Sequence, residues 1–495
     1  MKRFTKFKTR VVILTSAFIS IFAGATYAED AFETFPMVFH LTDINGNNGF
    51  TMQSSRSISG LGYSVSKVGD INGDGIDDIS IGTEYGDAYV VFGSENPWAA
   101  VVDFSKLNGS NGFRIDPSMG WDCAVSGAGD LNGDGIHDIL VGLFDANNAG
   151  QTCVVFGSKE PWPAVIDCSK LDGSNGFVLD GIHPDDRSGY SISGAGDVNG
   201  DGIDDILIGA YRANNYKGQS YVIFGNKELW PAVIDLFSLN GVNGFTIAGI
   251  NAGDDSGYSV SGAGDINEDG IADILIGADL ANDKIGQSYV VFGKKNPWFA
   301  HFNLSSLNGG NGFTINGVKP NDRSGSAVSG AGDVNGDGIP DILIGAPGAN
   351  NKIGQSYIVF GSKESWPAVI NLANLDGSNG FTMNGRAPGS SGSAVSSAGD
   401  INGDDIDDIL IGAPSVGSNA GQSYVIFGSK EPWPAVINFA SLDGANGFFI
   451  NGIKSSDLSG CSVSGAGDVN GDGIDDILIG SRGAKQGYII FGEHK

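Results

Sequence analysis

The pattern Asp-x-Asn-x-Asp-x-x-x-Asp occurs seven times in this chain, beginning at Asp70, Asp130, Asp197, Asp265, Asp333, Asp400 and Asp468. Oxygen donors at positions 1, 3 and 5 of a tight turn face one concave side, and the acid at position 9 closes the shell. Carboxylates and amide carbonyls at this spacing suit calcium, a hard cation that takes about six to eight oxygens at flexible angles. The expected ligands are Asp70, Asn72, Asp74 and Asp78 in the first loop, Asp130, Asn132, Asp134 and Asp138 in the second, and Asp197, Asn199, Asp201 and Asp205 in the third. They continue as Asp265, Asn267, Asp269 and Asp273, then Asp333, Asn335, Asp337 and Asp341, then Asp400, Asn402, Asp404 and Asp408, and finally Asp468, Asn470, Asp472 and Asp476. Up to seven calcium ions follow. Three carboxylates held about 5 Å apart repel by roughly 3 kcal/mol per pair at an effective dielectric near 20, so the loops are expected to loosen without metal.

Other loops of this chemistry fit less well. An EF-hand type loop carries its last acid at position 12, between helices. Thrombospondin-like calcium repeats are rich in Cys, of which this chain has four. Plain Asn-Gly and Asp-Gly hairpin turns would not require Asp at position 9 in every copy. Gly occupies position 6 in six loops, where positive φ bends the chain inward; Asp405 replaces it in the sixth, so that site is expected to be the weakest. Glu268 replaces Gly at position 4, outside the ligand set.

The loops recur 60 to 68 residues apart, and each sits in the same frame. A run like Gly189-Tyr-Ser-Ile-Ser-Gly-Ala-Gly precedes the loop; Asp-Ile-Leu-Ile-Gly-Ala follows, then a variable turn, then Gly-Gln-Ser-Tyr-Val-Ile-Phe-Gly and a connector like Trp230-Pro-Ala-Val-Ile-Asp-Leu. These runs are short, β-branched or aromatic, and bounded by Gly, Asn and Asp, which predicts strands. About four strands fit each repeat, and small sheets that are apolar on both faces must pack between neighbours. The expected fold is an all-β, seven-bladed β-propeller of four-stranded antiparallel blades. Met37-Val-Phe-His-Leu and Asn48-Gly-Phe-Thr-Met supply the connector and outer strand that the last repeat lacks after Ile490-Phe-Gly. The ring is therefore expected to close by pairing its N- and C-terminal segments, which also removes exposed strand edges.

Composition agrees: 79 Gly and 41% apolar residues fit a turn-dense β fold. Residues 1–28 resemble a secretory signal peptide, with Lys2, Arg3, Lys6, Lys8 and Arg10 ahead of an apolar run too short to span a bilayer. A linker over 29–35 and the propeller over 36–495 complete the expected organisation. Formal charge is −29, and loss of a signal with five basic and no acidic residues makes the chain more acidic still. Nucleic acid and anionic lipid surfaces are thereby disfavoured as partners, and with no later apolar run long enough to span a bilayer no membrane insertion is expected. A secreted, periplasmic or cell-surface location is expected.

The combination Gly-Tyr-Ser-Val, Gly-Asp-x-Asn-Gly-Asp-Gly-x-x-Asp and Ile-Leu-Ile-Gly-Ala resembles the FG-GAP repeat of the integrin α-chain N-terminal propeller and of bacterial exported proteins. The likeness covers residues 36–495. Both name-giving dipeptides are altered: the first reads Leu61-Gly62, Trp121-Asp122 or Ser-Gly, and Gly-Ala-Pro is complete only at Gly345 and Gly412. The resemblance implies a calcium-binding propeller that engages extracellular partners.

No catalytic grouping is evident, since His40, His137, His183, His301 and His494 fall at unrelated repeat positions and Asp77 with Asp78 belongs to a metal loop. An extracellular protein or macromolecule ligand is the leading expectation. A glycan ligand is the alternative, and a polysaccharide lyase or hydrolase is a third. Trp98, Trp162, Trp230, Trp298, Trp366 and Trp433 share one connector position, where they would pack between blades or form a sugar platform, and Trp121 lies before an inner strand. Cys153 and Cys168 are placed to pair across a hairpin; Cys123 and Cys461 share an inner-strand position in blades that are not neighbours. Strand parity puts metal loops and Trp connectors on one face. The divergent turns 143–149, 211–217, 279–285, 347–353 and 415–420, with links 182–188, 250–256 and 318–324, fall opposite, and Arg187, Arg212 and Arg323 offer cations there to an anionic or polar partner.

Overall fold

The computed structural model describes residues 35–55, 60–117, 122–295 and 297–494. The expected signal peptide, most of the linker and Trp121 lie outside them. Seven sheets form the seven blades. In the third, Ser191–Gly196, Asp205–Ala210, Gln219–Ile223 and Gly244–Ala248 run antiparallel from the axis outward. Each blade has five strands rather than the four expected. The fifth is a three-residue segment of the next blade's connector, here His301–Asn303, paired parallel to the fourth with Thr246 opposite His301. It was missed because it is so short and half exposed. Its role is physical: the outer edge of the fourth strand would otherwise present unpaired N–H and C=O groups.

The ring closes as its ends require. Gly49–Gln53 is the fourth strand of blade seven, antiparallel to Gln486–Ile490 with Phe50 opposite Ile489. Val38–His40 is the fifth strand of blade six, parallel to Gly447–Asn451. The second strand of blades two to seven is buried along its whole length, because it is packed on both faces by neighbouring blades. Its Gly is obligatory there: a Cβ on Gly209 would collide with the carbonyl of Gly257 in the next blade. The innermost strands are stitched together, as where Ser191 Oγ accepts the Val260 N–H (2.9 Å) and Ser259 Oγ the Val328 N–H (2.9 Å).

Each connector Trp lies flat on the Phe that opens the fourth strand of the preceding blade. Phe177 and Trp230 have centroids 4.4 Å apart with planes at 5°, and Trp98, Trp162, Trp298, Trp366 and Trp433 repeat the stack at 4.1–4.4 Å. The rings pack in grooves between blades, with Trp230 and Trp298 buried and Trp98, Trp162, Trp366 and Trp433 partly so. Phe35, left in the linker by the sequence reading, takes the seventh place and stacks on Phe448 (4.8 Å, 4°). Trp230→Ala is expected to cost about 3–5 kcal/mol, as for other buried aromatics cut to Ala. Urea titration will read this, and a loss below about 1 kcal/mol would show that the stack contributes little. Cys153 and Cys168 form a disulfide with Cα atoms 6.2 Å apart, while Cys123 and Cys461 are free. Among the described residues no helix is long and apolar enough to cross a membrane.

Candidate metal centres

All seven Asp/Asn loops join the first and second strands, and each is held by its own acids. In the first, Asp70 accepts the N–H groups of Gly73 (2.7 Å), Asp74 (3.0 Å) and Gly75 (2.8 Å). Asp74 Oδ1 accepts the Ile76 N–H (3.0 Å). Asp78 is buried, with one oxygen on the Ile71 N–H (3.0 Å) and the other on the Gly93 N–H (2.8 Å). The position 9 acid thus ties its loop to the start of its own connector, and Asp138, Asp205, Asp273, Asp341, Asp408 and Asp476 repeat both bonds. In the first loop each Asp78 oxygen accepts one of these bonds and keeps a second lone pair. Burial, reinforced by the carboxylates at positions 5 and 1, pushes Asp78, Asp205, Asp273, Asp341 and Asp476 up to about 8. Asp138 and Asp408 shift the same way.

The Asn at position 3 takes two orientations. In five loops its Oδ1 accepts the position 5 N–H at 2.9 Å, as Asn72 does from Asp74. Asn199 and Asn402 instead turn inward onto Asp205 (3.4 Å) and Asp408 (3.3 Å). The Oδ1 atoms of both are then buried without a hydrogen-bond partner. Among the described residues no three acidic, His or Cys side chains form a cage by themselves; the donors are carboxylates mixed with an Asn carbonyl. An all-oxygen donor set with two orphaned carbonyl oxygens fits a hard divalent cation. Asp405 adopts the left-handed conformation that position 6 demands (φ 62°).

Two devices between blades were not legible in the sequence. At five of the seven junctions the residue at position 8 reaches back to the preceding loop: the position 1 N–H groups of Asp130, Asp333, Asp400 and Asp468 are accepted by Asp204, Asp407, Asp475 and Asp77 (2.7–3.2 Å), and that of Asp70 by His137 Nδ1 (3.1 Å), while Ala272 and Pro340 hold position 8 at the other two. Connector N–H groups also donate to the position 2 carbonyl of the previous loop all round the ring, from Ser158 to Ile71 (2.8 Å) through Glu493 to Ile401 (3.0 Å). Loops and connectors therefore share one face, as strand parity requires. In addition the side chains of Lys159, Lys227, Lys295 and Lys430 lie across the position 4 Gly of the loop one blade back, and Lys363 pairs with Glu268 (3.4 Å). His494 takes this place at the sixth loop and Glu95 at the seventh. The available signal was a connector Lys recurring at one offset.

On the opposite face the turns and links bond to one another, as where Lys284 O accepts the Arg323 N–H (3.0 Å). Of the three arginines expected to serve a partner, two are ion-paired, Arg187 with Asp145 and Arg323 with buried Asp279, and the third, Arg212, donates its Nε–H to the Tyr211 hydroxyl (3.0 Å). Arg212 lies over the rings of Tyr211 (5.3 Å) and Tyr216 (5.7 Å). Tyr190 packs against Tyr211 (4.6 Å) and Tyr258 (5.1 Å), filling that side of the face.

The FG-GAP repeat model matches residues 188–223, 256–291, 324–359, 391–426 and 462–491, the heart of blades three to seven. The chain carries FG-GAP repeats. Blades one and two have the same strand order but fall outside the match. Integrin alpha pat-2 of Caenorhabditis elegans is 29% identical over 272 residues, covering 51% of this chain and 20% of that protein. Integrin alpha-5 of Xenopus laevis is 28% identical over 242 residues, 46% of this chain and 20% of that protein. Phosphatidylinositol-glycan-specific phospholipase D of Bos taurus is 34% identical over 184 residues, 34% of this chain and 20% of that protein. The chain thus spans only about a fifth of the length of these relatives.

Proposed function

We propose that this FG-GAP propeller is a calcium-stabilised, adhesion-like interaction module working outside the cytoplasm, which docks a macromolecular partner on the face opposite its metal loops. The observation that carries the reading is the division of labour between the faces: near-identical loops are locked edge to edge on one, and the divergent turns are gathered on the other. The names of the integrin relatives support an interaction role, and the Cys153–Cys168 disulfide supports an oxidising compartment. The residues at positions 1, 3, 5 and 9 of each loop would hold the ions. Bound calcium supplies the positive charge that offsets three clustered carboxylates. No reaction is assigned to the module.

The neighbouring side chains rank the sites. A Lys across a loop competes with a cation for the same negative field, whereas Glu95 across the seventh loop adds to that field. Glu95→Lys is expected to weaken one calcium site by about ten-fold at moderate salt, and Lys159→Glu to tighten one by a similar factor. Calorimetric titration of chelator-stripped protein measures both; unchanged isotherms would remove this ranking.

The partner face is tested by probing glycan and extracellular protein arrays with wild-type protein and with Arg212→Glu and Lys284→Glu. Arg323 is unsuitable, because its loss would strand buried Asp279. Binding should fall in both variants with melting unchanged. Binding that survives both would move the partner to another surface.

A further inference from the structure

The face opposite the metal loops is not uniform, and its asymmetry starts in the sequence. Where the first strands of blades three and four are preceded by Gly189-Tyr190 and Gly257-Tyr258, those of blades five and six are preceded by Gly325-Ser326 and Gly392-Ser393. Pro347 stands in blade five where Tyr211 stands in blade three. Tyrosine rings fill the first half of the face; on the second half, small residues leave a cavity of about 840 Å³. That volume lies in the range of small-molecule sites, about 300–1,000 Å³.

The cavity has the opposite charge to the chain. In a protein with 57 acidic and 28 basic side chains, Lys284, Lys319, Lys352 and Arg323 line it, with Asp322 the one acid among its lining residues. An oxygen of Asp322 is already taken by the Lys319 N–H (3.0 Å). None of the described residues forms an ion pair with Lys284, Lys319 or Lys352. The lysines stand on fixed backbone: Lys352 O accepts the N–H groups of Gly389 and Ser390 (2.9 Å each), and Lys284 O that of Arg323. Asp279 meets the charge of Arg323 and Asp322 lies near Lys319, so the excess positive charge is that of Lys284 and Lys352, which an anion would offset.

The rest of the lining identifies the kind of anion. Asn321, Asn350, Asn351, Ser390 and Ser393 carry amides and hydroxyls that both donate and accept, matching sugar hydroxyls. The lining contains no aromatic or branched aliphatic side chain of the kind that anchors a docked peptide. We propose that this cavity is a binding site for an acidic saccharide, with the lysines on its carboxylates and the Asn and Ser side chains on its hydroxyls. This rests on the assignment of partner binding to the face opposite the metal loops.

The test is calorimetric titration of calcium-loaded protein with trigalacturonate, a neutral galactose trimer and a Glu-rich peptide. Trigalacturonate should bind with a Kd below about 1 mM, and the other two should not bind detectably. Raising salt from about 50 to about 300 mM should weaken it at least five-fold or so, because the pairs are solvent-exposed. Lys284→Glu with Lys352→Glu should weaken it by roughly ten-fold or more. Ser393→Tyr, which restores the residue of blades three and four, should block the cavity while leaving the melting temperature unchanged or raised. No trigalacturonate binding, equal binding of the peptide or the neutral sugar, or full binding by Ser393→Tyr would each overturn the assignment. If trigalacturonate fails while Lys284→Glu still weakens a partner found on the arrays, the saccharide falls and the face stands.

Discussion

A chain lacking residues 35–53 is expected to lose cooperative folding. That segment supplies the fourth strand of blade seven, the fifth strand of blade six and the stack of Phe35 on Phe448. Phe35, Leu41, Phe50 and Met52 are all buried. At about 1.5–3 kcal/mol per buried apolar side chain, their loss removes roughly 6–12 kcal/mol, comparable to the whole net stability of a typical fold, about 5–15 kcal/mol. The truncation also bares the Gln486–Ile490 edge, whose N–H and C=O groups would invite aggregation. Calorimetry and size-exclusion chromatography will show it. A truncated protein that melts in one transition at the full-length temperature would refute closure by the N-terminal strands.

Chelation is expected to produce the second-largest effect. With about 1 mM free calcium and a dissociation constant near 10 µM, each filled site adds about 2.7 kcal/mol. The loops are bonded to one another and to the connectors of the next blade, so loosening them acts on every blade junction. Several sites together should raise the melting temperature by about 10 °C or more. Asp205→Asn, which keeps the shape of a buried group but removes its charge, should abolish one site of the titration. Coincident melting curves in calcium and in excess chelator would discard the metal as a stabiliser.

The architecture was legible in the sequence for a particular reason. Each repeat must bury both faces of a small sheet, so strand residues, Gly positions and turn acids recur at a fixed period, and the first and last repeats betray the closure by what each lacks. The same repetition exposed the 28 metal-site candidates and the pairing of Cys153 with Cys168, because a residue that breaks a repeat stands out against it.

Contacts between repeats are a different matter, since the period states what each blade contains and not which atoms of its neighbour it meets. Only the tertiary structure turns Val233–Asp235 into a fifth strand on the blade before it, lays Lys159 over Gly73, and sets Asp204 on the Asp130 N–H. It also decides which cations are free. Arg323 looked available by composition, but an ion pair with Asp279 of the neighbouring blade consumes it, while Lys284 and Lys352 are left facing a cavity lined by Ser393, where blades three and four carry Tyr. Side-chain pairing across blades depends on distances of a few ångströms between residues some 70 positions apart, and local pattern carries no information at that range.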